Sequence, residues 1–491
     1  MNLKKLSTLA IAGVAALAVS GSALANVCAF DTVPAATLLY PFVALDYNNP
    51  VDGLNTNIAV TNVSDQAQIV HWTIWTDRSE GIFDFNFVLS GYDVETMNMR
   101  DLLIAGDIPA TGTSGGLVVN GGFPFDDGPI DVVNGLLPDA ESTSARSGDC
   151  RPGDPGYPAF TKTDDLPAST LLLFRQLLQQ TQNASKTHDD CLGTVGPLES
   201  PTWFDSLDDS GPTWFYITAD VVQSCNLFFP DLDAAYWDTE VFRDTDANVL
   251  MGDVLWTNNG ARFSEADNAV HIEADADLGT VATGDGFGDP ISFYYRYSTD
   301  RGNTPDNREP LPTAWGFRYF GVGDAALGTY IRAWKGSTFN TSITDLVSTT
   351  GTRRVLDCLA YTYYAWDEDE NVITATGNPW SQPGGVVVRP NLLPLETQEV
   401  SADVFNTPGD KGWMLFVWHP SNDDLRPDAR ADIWQTWMGV KYTAFETFSA
   451  AMGATVMGNY GCFSDQTLPG LGIGYDYVDA ITGYVESPGS W

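Results

Sequence analysis

Apolar and polar residues alternate along several stretches of the chain. In IFDFNFVLS (82–90), Phe83, Phe85 and Phe87 fall on one face, and polar residues separate them. TNIAVTNVS (56–64) alternates in the same way. A period of two over this length is typical of half-buried antiparallel strands. Because similar stretches recur from Thr213 nearly to the end of the chain, the pattern predicts a mainly β protein.

The spacing of these stretches predicts two or more antiparallel, immunoglobulin-like β-sandwich modules. Residues 105–165 are rich in Gly, Pro, Asp and Ser and predict an irregular insert. One helix is expected in DDLPASTLLLFRQLLQQTQ, where Leu171, Phe174 and Leu178 recur at helical spacing. The predicted units are a signal peptide (1–25), an N-terminal β-sandwich (26–104), an insert plus helix (105–200), a central β domain (201–350) and a C-terminal β-sandwich (351–491).

Two pairs of segments resemble each other within the chain. VHWTIWTDRSEGIF (70–83) and YTYYAWDEDENVIT (361–374) both run from an aromatic strand through Trp into an acidic turn and a second strand. Farther on, YDVETMNM and LPLETQEV share Glu-Thr before an apolar residue. A duplicated sandwich module explains this pattern, and so do two hairpins that share common turn chemistry.

The segment IVHWTIWTD (69–77) places two tryptophans on opposite faces of one strand. Trp72 is predicted to join the core with the phenylalanine stripe. Trp75 is predicted on the outer face, where it can stack on a sugar or seal a contact with the rest of the chain. In a protein with several β modules, the inter-module contact is the favoured interpretation.

Charge and the first residues predict where the protein acts. The chain has 24 Lys and Arg against 64 Asp and Glu, a formal net charge of −40, which disfavours binding to nucleic acid or anionic lipid. MNLKKLSTLAIAGVAALAVSGSALA has the charged, apolar and small-residue regions of a secretory signal peptide. Its apolar run is shorter than the roughly 20 residues of a membrane span. We therefore expect an exported protein without a membrane span, located outside the cell, at its surface or in the periplasm.

The chain has six cysteines. None lies in a CxxC metal motif, and an even number in an exported chain predicts three disulfides. Our predicted pairing joins 150 with 191, 358 with 462, and 28 with 225. The residues concerned are Cys28, Cys150, Cys191, Cys225, Cys358 and Cys462.

The sharpest candidate site is NAVHIEADADLG (268–279). Alternation puts His271, Glu273, Asp275 and Asp277 on one face of a strand. Such a row of like charges needs screening, and Ca²⁺, which binds about six to eight oxygens, can bridge two carboxylates. Glu273, Asp275 and Asp277 are therefore candidate ligands of a structural calcium ion, the one cofactor considered. A plain acidic strand edge and the carboxylate pair of a glycoside hydrolase are the alternatives.

Other polar motifs support binding better than catalysis. Arg308 in DNREPLP (306–312) is one of few basic residues and, with Trp75 and His271, is a candidate ligand-binding residue. GTSGG (112–116) fits the GxSxG pattern but lacks the strand, helix and histidine partner of a nucleophile elbow. No catalytic residue is predicted.

VPAATLLYPF, GYDVETMNMRDLL, VHIEAD and DNREPLP together resemble a recurring set in uncharacterised secreted β-rich proteins of environmental bacteria. That group has no assigned activity, so the resemblance implies bacterial export and several sandwiches but no catalytic residue. The sequence favours a non-enzymatic, secreted or cell-surface protein with a binding, adhesion or envelope-structural role. Its expected partner is a protein or glycan at the cell surface. The alternative is a carbohydrate-active protein, either a glycan-binding module or a glycoside hydrolase.

Overall fold

The computed structural model describes the chain in several ranges. These are 26–107, 168–178, 212–274, 292–294, 306–336, 360–377, 393–419, 435–456 and 463–464, with gaps at 28, 30–31, 78–80, 169, 176–177, 224–227, 231–232, 240–241, 245–246, 313, 325, 394–395 and 445–447. The described strands form four sheets of four or five strands and one two-stranded pairing. All their pairings are antiparallel. The mainly β, sandwich-like architecture predicted from the alternation is confirmed.

The first module contains a five-stranded and a four-stranded sheet. Its strands are β2 (Thr37–Leu45), β3 (Leu54–Asn62), β4 (Gln68–Thr76), β5 (Gly81–Leu89), β6 (Val94–Asn98), β7 (Thr213–Val222), β8 (Leu250–Asn258), β9 (Phe263–Asn268) and β10 (Val270–Ile272). The five-stranded sheet has the order β5-β4-β7-β2-β10, and the four-stranded sheet has the order β6-β3-β8-β9.

The second module also contains a five-stranded and a four-stranded sheet. Its strands are β11 (Ala314–Phe320), β12 (Leu327–Gly336), β13 (Ala360–Asp367), β14 (Val372–Gly377), β15 (Thr397–Ser401), β16 (Lys411–His419), β17 (Gln435–Ala444), β18 (Phe448–Gly453) and β19 (Thr455–Val456). The sheet orders are β14-β13-β16-β11-β19 and β15-β12-β17-β18. A separate pairing joins β1 (Asn26–Val27) to β20 (Phe463–Ser464).

The two modules have the same topology. Adding nine to each strand number of the first module reproduces both sheet orders of the second. The similar segments of the sequence occupy equivalent places, because β4 and β5 correspond to β13 and β14, and β6 corresponds to β15. This agrees with a duplicated module rather than with two hairpins that share only their turns.

Strand pairing and composition divide the chain differently. The first module ends at Ile272 and the second begins at Ala314, whereas composition suggests divisions at 104, 200 and 350. The pairing joins β7 to β2 and β4, although residues 105–212 separate β7 from β6 along the chain. Local composition indicates the insert, but it does not indicate that β7, which follows the insert, belongs to the same sheet as β2 and β4.

The core of the first module is built from the stripes that the alternation predicts. Trp72 is fully buried and meets the rings of Phe85 and Phe87 at 5.8 and 6.1 Å between centroids. The described residues between 168 and 178 are helical, as predicted. This helix packs on the same core through Phe174, whose ring centroid lies 4.6 Å from that of Phe83.

Short helical turns complete the described part of the chain. A π-helical turn spans Asp101–Ala105, and 3-10 turns span Ala234–Trp237 and Ala402–Val404. Among the described residues, no helix is both long and apolar enough to cross a membrane.

Candidate functional site

Trp75 lies at the contact between the two modules. Its side chain is completely buried, and its ring is parallel to that of Tyr216 at 5.7 Å. Its indole N–H donates to Oγ1 of Thr218 at 2.9 Å. Trp334 of β12, in the second module, packs edge-on against Tyr216, with 5.7 Å between the two ring centroids. The position matches the inter-module contact favoured for Trp75, and its ring has no exposed face in this structure.

The main chain also joins the modules beside this aromatic contact. The N–H of Glu396 donates to the carbonyl of Asp77 at 2.9 Å. One residue later, the hydroxyl of Thr397 donates to the carbonyl of Pro41 at 2.7 Å. The start of β15 is therefore anchored to the end of β4 and to β2, on the outer face of the first module's five-stranded sheet.

A buried arginine forms the ionic part of the joint. Arg332 of the second module pairs with Glu265 of the first, and its Nε lies 2.8 Å from Oε2 of Glu399. Its guanidinium lies 4.7 and 4.4 Å from the ring centroids of Phe42 and Trp256 in the first module. Cation–π contacts of this kind are strongest where water is excluded. Arg332 therefore links the modules by charge and by packing.

The charges at the joint are balanced. Lys441 pairs with Glu399, and Ser449 donates to Oε2 of Glu265 at 3.0 Å. Burial alone favours the protonated form of Glu399, but Lys441 and Arg332 outweigh it and lower its pKa from 4.5 to about 2. Glu399 is therefore ionised at neutral pH, between its two cationic partners.

Arg308 lies in a second buried cluster, on the outer face of the same five-stranded sheet. Its guanidinium donates to Thr37 Oγ1 at 2.8 Å, Asn307 Oδ1 at 3.0 Å and the Asp244 carbonyl at 2.8 Å. The neighbouring Asp306 pairs with Arg243. Arg308 is fully buried, so its described contacts hold covering segments on the sheet.

Asp220 is the centre of this cluster. It accepts hydrogen bonds from Thr37 Oγ1 at 2.5 Å and from the hydroxyls of Tyr236 and Tyr294 at 2.8 and 2.6 Å. Burial, and then the charge of Asp220, raise the pKa of both tyrosines well above 10, so both phenols stay protonated as donors. Three segments distant in sequence are thereby tied to one carboxylate.

His71 borders the same cluster as a neutral group. Its Nδ1 lies 2.8 Å from Oδ1 of Asn86, and its ring is fully buried. Burial lowers the pKa of His71 from 6.5 to about 4, although the hydrogen bond with Asn86 and the charge of Asp220 oppose this. A buried neutral imidazole that resists protonation makes the fold sensitive to acid.

The acidic row is described only in part. His271 is buried, and its Nε2 accepts the N–H of Gly252 at 3.1 Å. The carbonyl of Glu273 accepts the N–H of Glu309 at 3.0 Å. Asp275 and Asp277 lie outside the described residues. Within the described ranges, no group of three or more His, Cys, Asp or Glu is placed to hold a metal ion, so calcium stays a prediction.

The predicted disulfides also stay predictions, because all six cysteines lie outside the described residues. So do the predicted signal peptide and the GTSGG segment. The described ligand-binding candidates, Trp75, His271 and Arg308, do not converge on one site. Each is buried in a different set of contacts.

The second module exposes a row of large side chains on the outer face of its five-stranded sheet. The strand register places Trp413 opposite both Trp366 and Arg318. Trp413 is 49% exposed, and Phe320, two residues after Arg318 on the same face, is 37% exposed. Val372, opposite Trp366, is also exposed. We call the surface formed by Val372, Trp366, Trp413, Arg318 and Phe320 the Trp413 face.

Neighbouring groups hold these side chains in place. The guanidinium of Arg318 lies 5.2 Å from the ring centroids of both Phe320 and Trp413, and Glu368 pairs with it. Trp366 stacks on the buried Tyr364 at 5.9 Å. Because these rings are already oriented, a partner loses less side-chain entropy on binding them.

Gly412 permits the close approach of β16 and β13 beside this face. A Cβ atom at this position would lie 1.7 Å from the carbonyl oxygen of Trp366. No larger residue fits without separating the strands that carry Trp413 and Trp366.

Sequence reasoning missed most of these positions. Asp220 is the one charged residue of the strand TWFYITADVV, and Arg332 interrupts the apolar stretch YIRAW within LGTYIRAWKG. That interruption is a signal for a buried, paired charge. Trp413 carried no such signal, since one exposed tryptophan among 15 has no distinctive neighbours in the sequence.

Comparison with known proteins adds no relative to this picture. No family model matches the chain, no curated protein matches its sequence, and no solved structure matches its fold.

Proposed function

We propose that the protein is exported and acts without catalysis, in binding, adhesion or the structure of the cell envelope. The observation that carries this proposal is the Trp413 face, an exposed and pre-oriented aromatic surface on the outer face of a five-stranded sheet. Large exposed apolar surfaces on soluble proteins mark interaction sites.

The buried polar clusters support the same proposal. Asp220, Arg308 and Arg332 lie inside the protein, and their described contacts join strands, covering segments and modules. A catalytic group must reach a substrate in a cleft. The arrangement of these ionisable groups favours a role in holding the two modules as one body.

Cell fractionation with an antibody tests this function. We expect to find the protein in the medium or on the cell envelope, where added protease can reach it. We also expect the purified protein to bind washed envelopes of the same cells. Trp413→Glu should reduce that binding at least tenfold, whereas Val51→Glu, at another exposed apolar position, should not. Retention with a cytoplasmic marker would refute the proposal.

The exposed indole of Trp413 supports a carbohydrate-binding role as a second candidate. The face of an aromatic ring is apolar and slightly negative, so it can pack against the C–H groups of a sugar. A glycan array should then give a specific signal that Trp413→Ala removes. Because Trp75 is buried, a glycan signal that is lost only with Trp75→Ala would indicate unfolding of the joint rather than lost sugar contacts.

A further inference from the structure

The Trp413 face has an equivalent in the first module. Trp75 and Trp366 occupy matching positions in the repeated strands, and the register places Tyr216 opposite Trp75 and Trp413 opposite Trp366. Trp75 and Tyr216 are covered, whereas Trp413 is half exposed. The end of this surface at Trp413 is therefore open in the second module, whereas the matching end at Trp75 and Tyr216 is buried in the first.

What covers the first surface is a defined part of the second module. Trp334 of β12 packs on Tyr216, and Glu396 and Thr397 at the start of β15 make the hydrogen bonds to the first module. The joint is thus a head-to-tail contact, in which one end of a module covers the outer face of the module before it.

We propose that the Trp413 face binds a second copy of this chain by repeating this internal contact. The part of the first module that corresponds to β12 and β15 is the ladder of β3 and β6. At its open end, Tyr92 is 72% exposed and Val94 at the start of β6 is 50% exposed. Each chain therefore carries one open face and one open end, and the end of one copy covers the face of the next.

Such a contact joins two different surfaces, so it does not close after two copies. Head-to-tail contacts generate rings or open filaments. This inference rests on the proposed function: it identifies a second copy of the chain as the binding partner, and it takes the envelope location from the proposed export. Export and self-association are measured separately, so either can fail without the other.

The charge of the chain sets the condition for assembly. With a formal net charge of −40, copies repel one another at low ionic strength. Salt shortens the range of this repulsion to about 10 Å at 0.1 M and less at higher concentration. Assembly should therefore increase with salt, in contrast to a contact that depends on surface ion pairs.

Variants in which one of the two surfaces is blocked test the proposal, using purified protein that lacks the predicted signal peptide. Trp413→Glu blocks the face and Tyr92→Glu blocks the end, while Val51→Glu is the control for an added charge at an exposed apolar position. Sedimentation velocity is measured for each protein at about 20 mM and about 500 mM NaCl. Circular dichroism and the melting temperature confirm that each variant is folded.

We expect wild type and Val51→Glu to form oligomers that grow with protein and salt concentration. Each blocked variant should stay monomeric alone, because it keeps only one working surface. Mixing the two blocked variants should restore a dimer and nothing larger, since the open face of one can bind the open end of the other.

Three outcomes would overturn the proposal. They are a monomeric wild type at high salt, oligomers that persist unchanged in Trp413→Glu, and a mixture of blocked variants that does not dimerise. The face would be assigned to a glycan instead if the protein is a monomer whose migration is retarded in gels containing starch, laminarin or galactomannan, and if Trp413→Glu abolishes this retardation.

Discussion

At the scale of single residues, burial and neighbouring charges set the protonation states of the buried polar groups. Asp220 remains an acceptor for two tyrosines whose pKa values are raised, and Glu399 remains ionised between two cations. His71 differs from these groups, because burial keeps its ring neutral between about pH 4 and 6.5, where an exposed histidine binds a proton. It therefore links stability to pH.

Acid should destabilise the protein through His71. Its pKa is about 4 in the folded state against 6.5 as the ordinary value, so between these pH values only the unfolded chain binds the proton. Stability contributed by neutral His71 is present above about pH 6.5 and falls as the pH drops to about 4, by about 2–3 kcal/mol.

Urea unfolding at pH 7.5 and 4.5 measures this effect. His71→Gln removes the titrating ring and keeps an amide donor for Asn86, so its loss of stability between the two pH values should be smaller by about 2–3 kcal/mol. An identical pH dependence in wild type and variant would show that His71 is not the group responsible.

At the scale of elements, the helix between 168 and 178 shows how much the sequence period decides. Spacing selected Leu171, Phe174 and Leu178 as the packing face, and the last two are fully buried, while Leu172 is 55% exposed. Periodicity could not indicate which sheet receives the helix. That depended on Phe83, which lies far away in the chain.

Phe174→Ala should detach this helix from the sheet. Truncating a buried phenylalanine costs about 3–5 kcal/mol, because apolar contacts are lost and a cavity remains. Leu172→Ala on the exposed side of the same helix should change the free energy of unfolding by about 0.5 kcal/mol or less. Urea midpoints of the two variants make the comparison, and equal midpoints would contradict the described packing.

At the scale of the whole molecule, the two modules behave as one hydrophobic body. The main core cluster contains Trp72 of the first module and Trp418 of the second. The buried Arg332 spans the boundary between them. This continuity predicts that the modules unfold together rather than in two steps.

Arg332→Met should break this coupling. Removing one partner of a buried ion pair leaves uncompensated charge and costs about 3–5 kcal/mol, so Glu265 and Glu399 should then destabilise the joint. Arg318→Met removes an exposed pair with Glu368 and should cost about 1 kcal/mol or less. Calorimetry should show one transition for wild type and Arg318→Met, and a lower or divided transition for Arg332→Met.

The local pattern by itself determined the strands, the phenylalanine stripe around Phe85, the helix and the outer position of Trp75, because alternation and helical period depend only on neighbours in sequence. It also contained the repeat, visible as two similar hairpins. Tertiary structure alone decided that Trp75 is covered while Trp413 is open, and that Arg332 spans the modules. Exposure and ion pairing depend on which distant segments meet, and no local pattern records that.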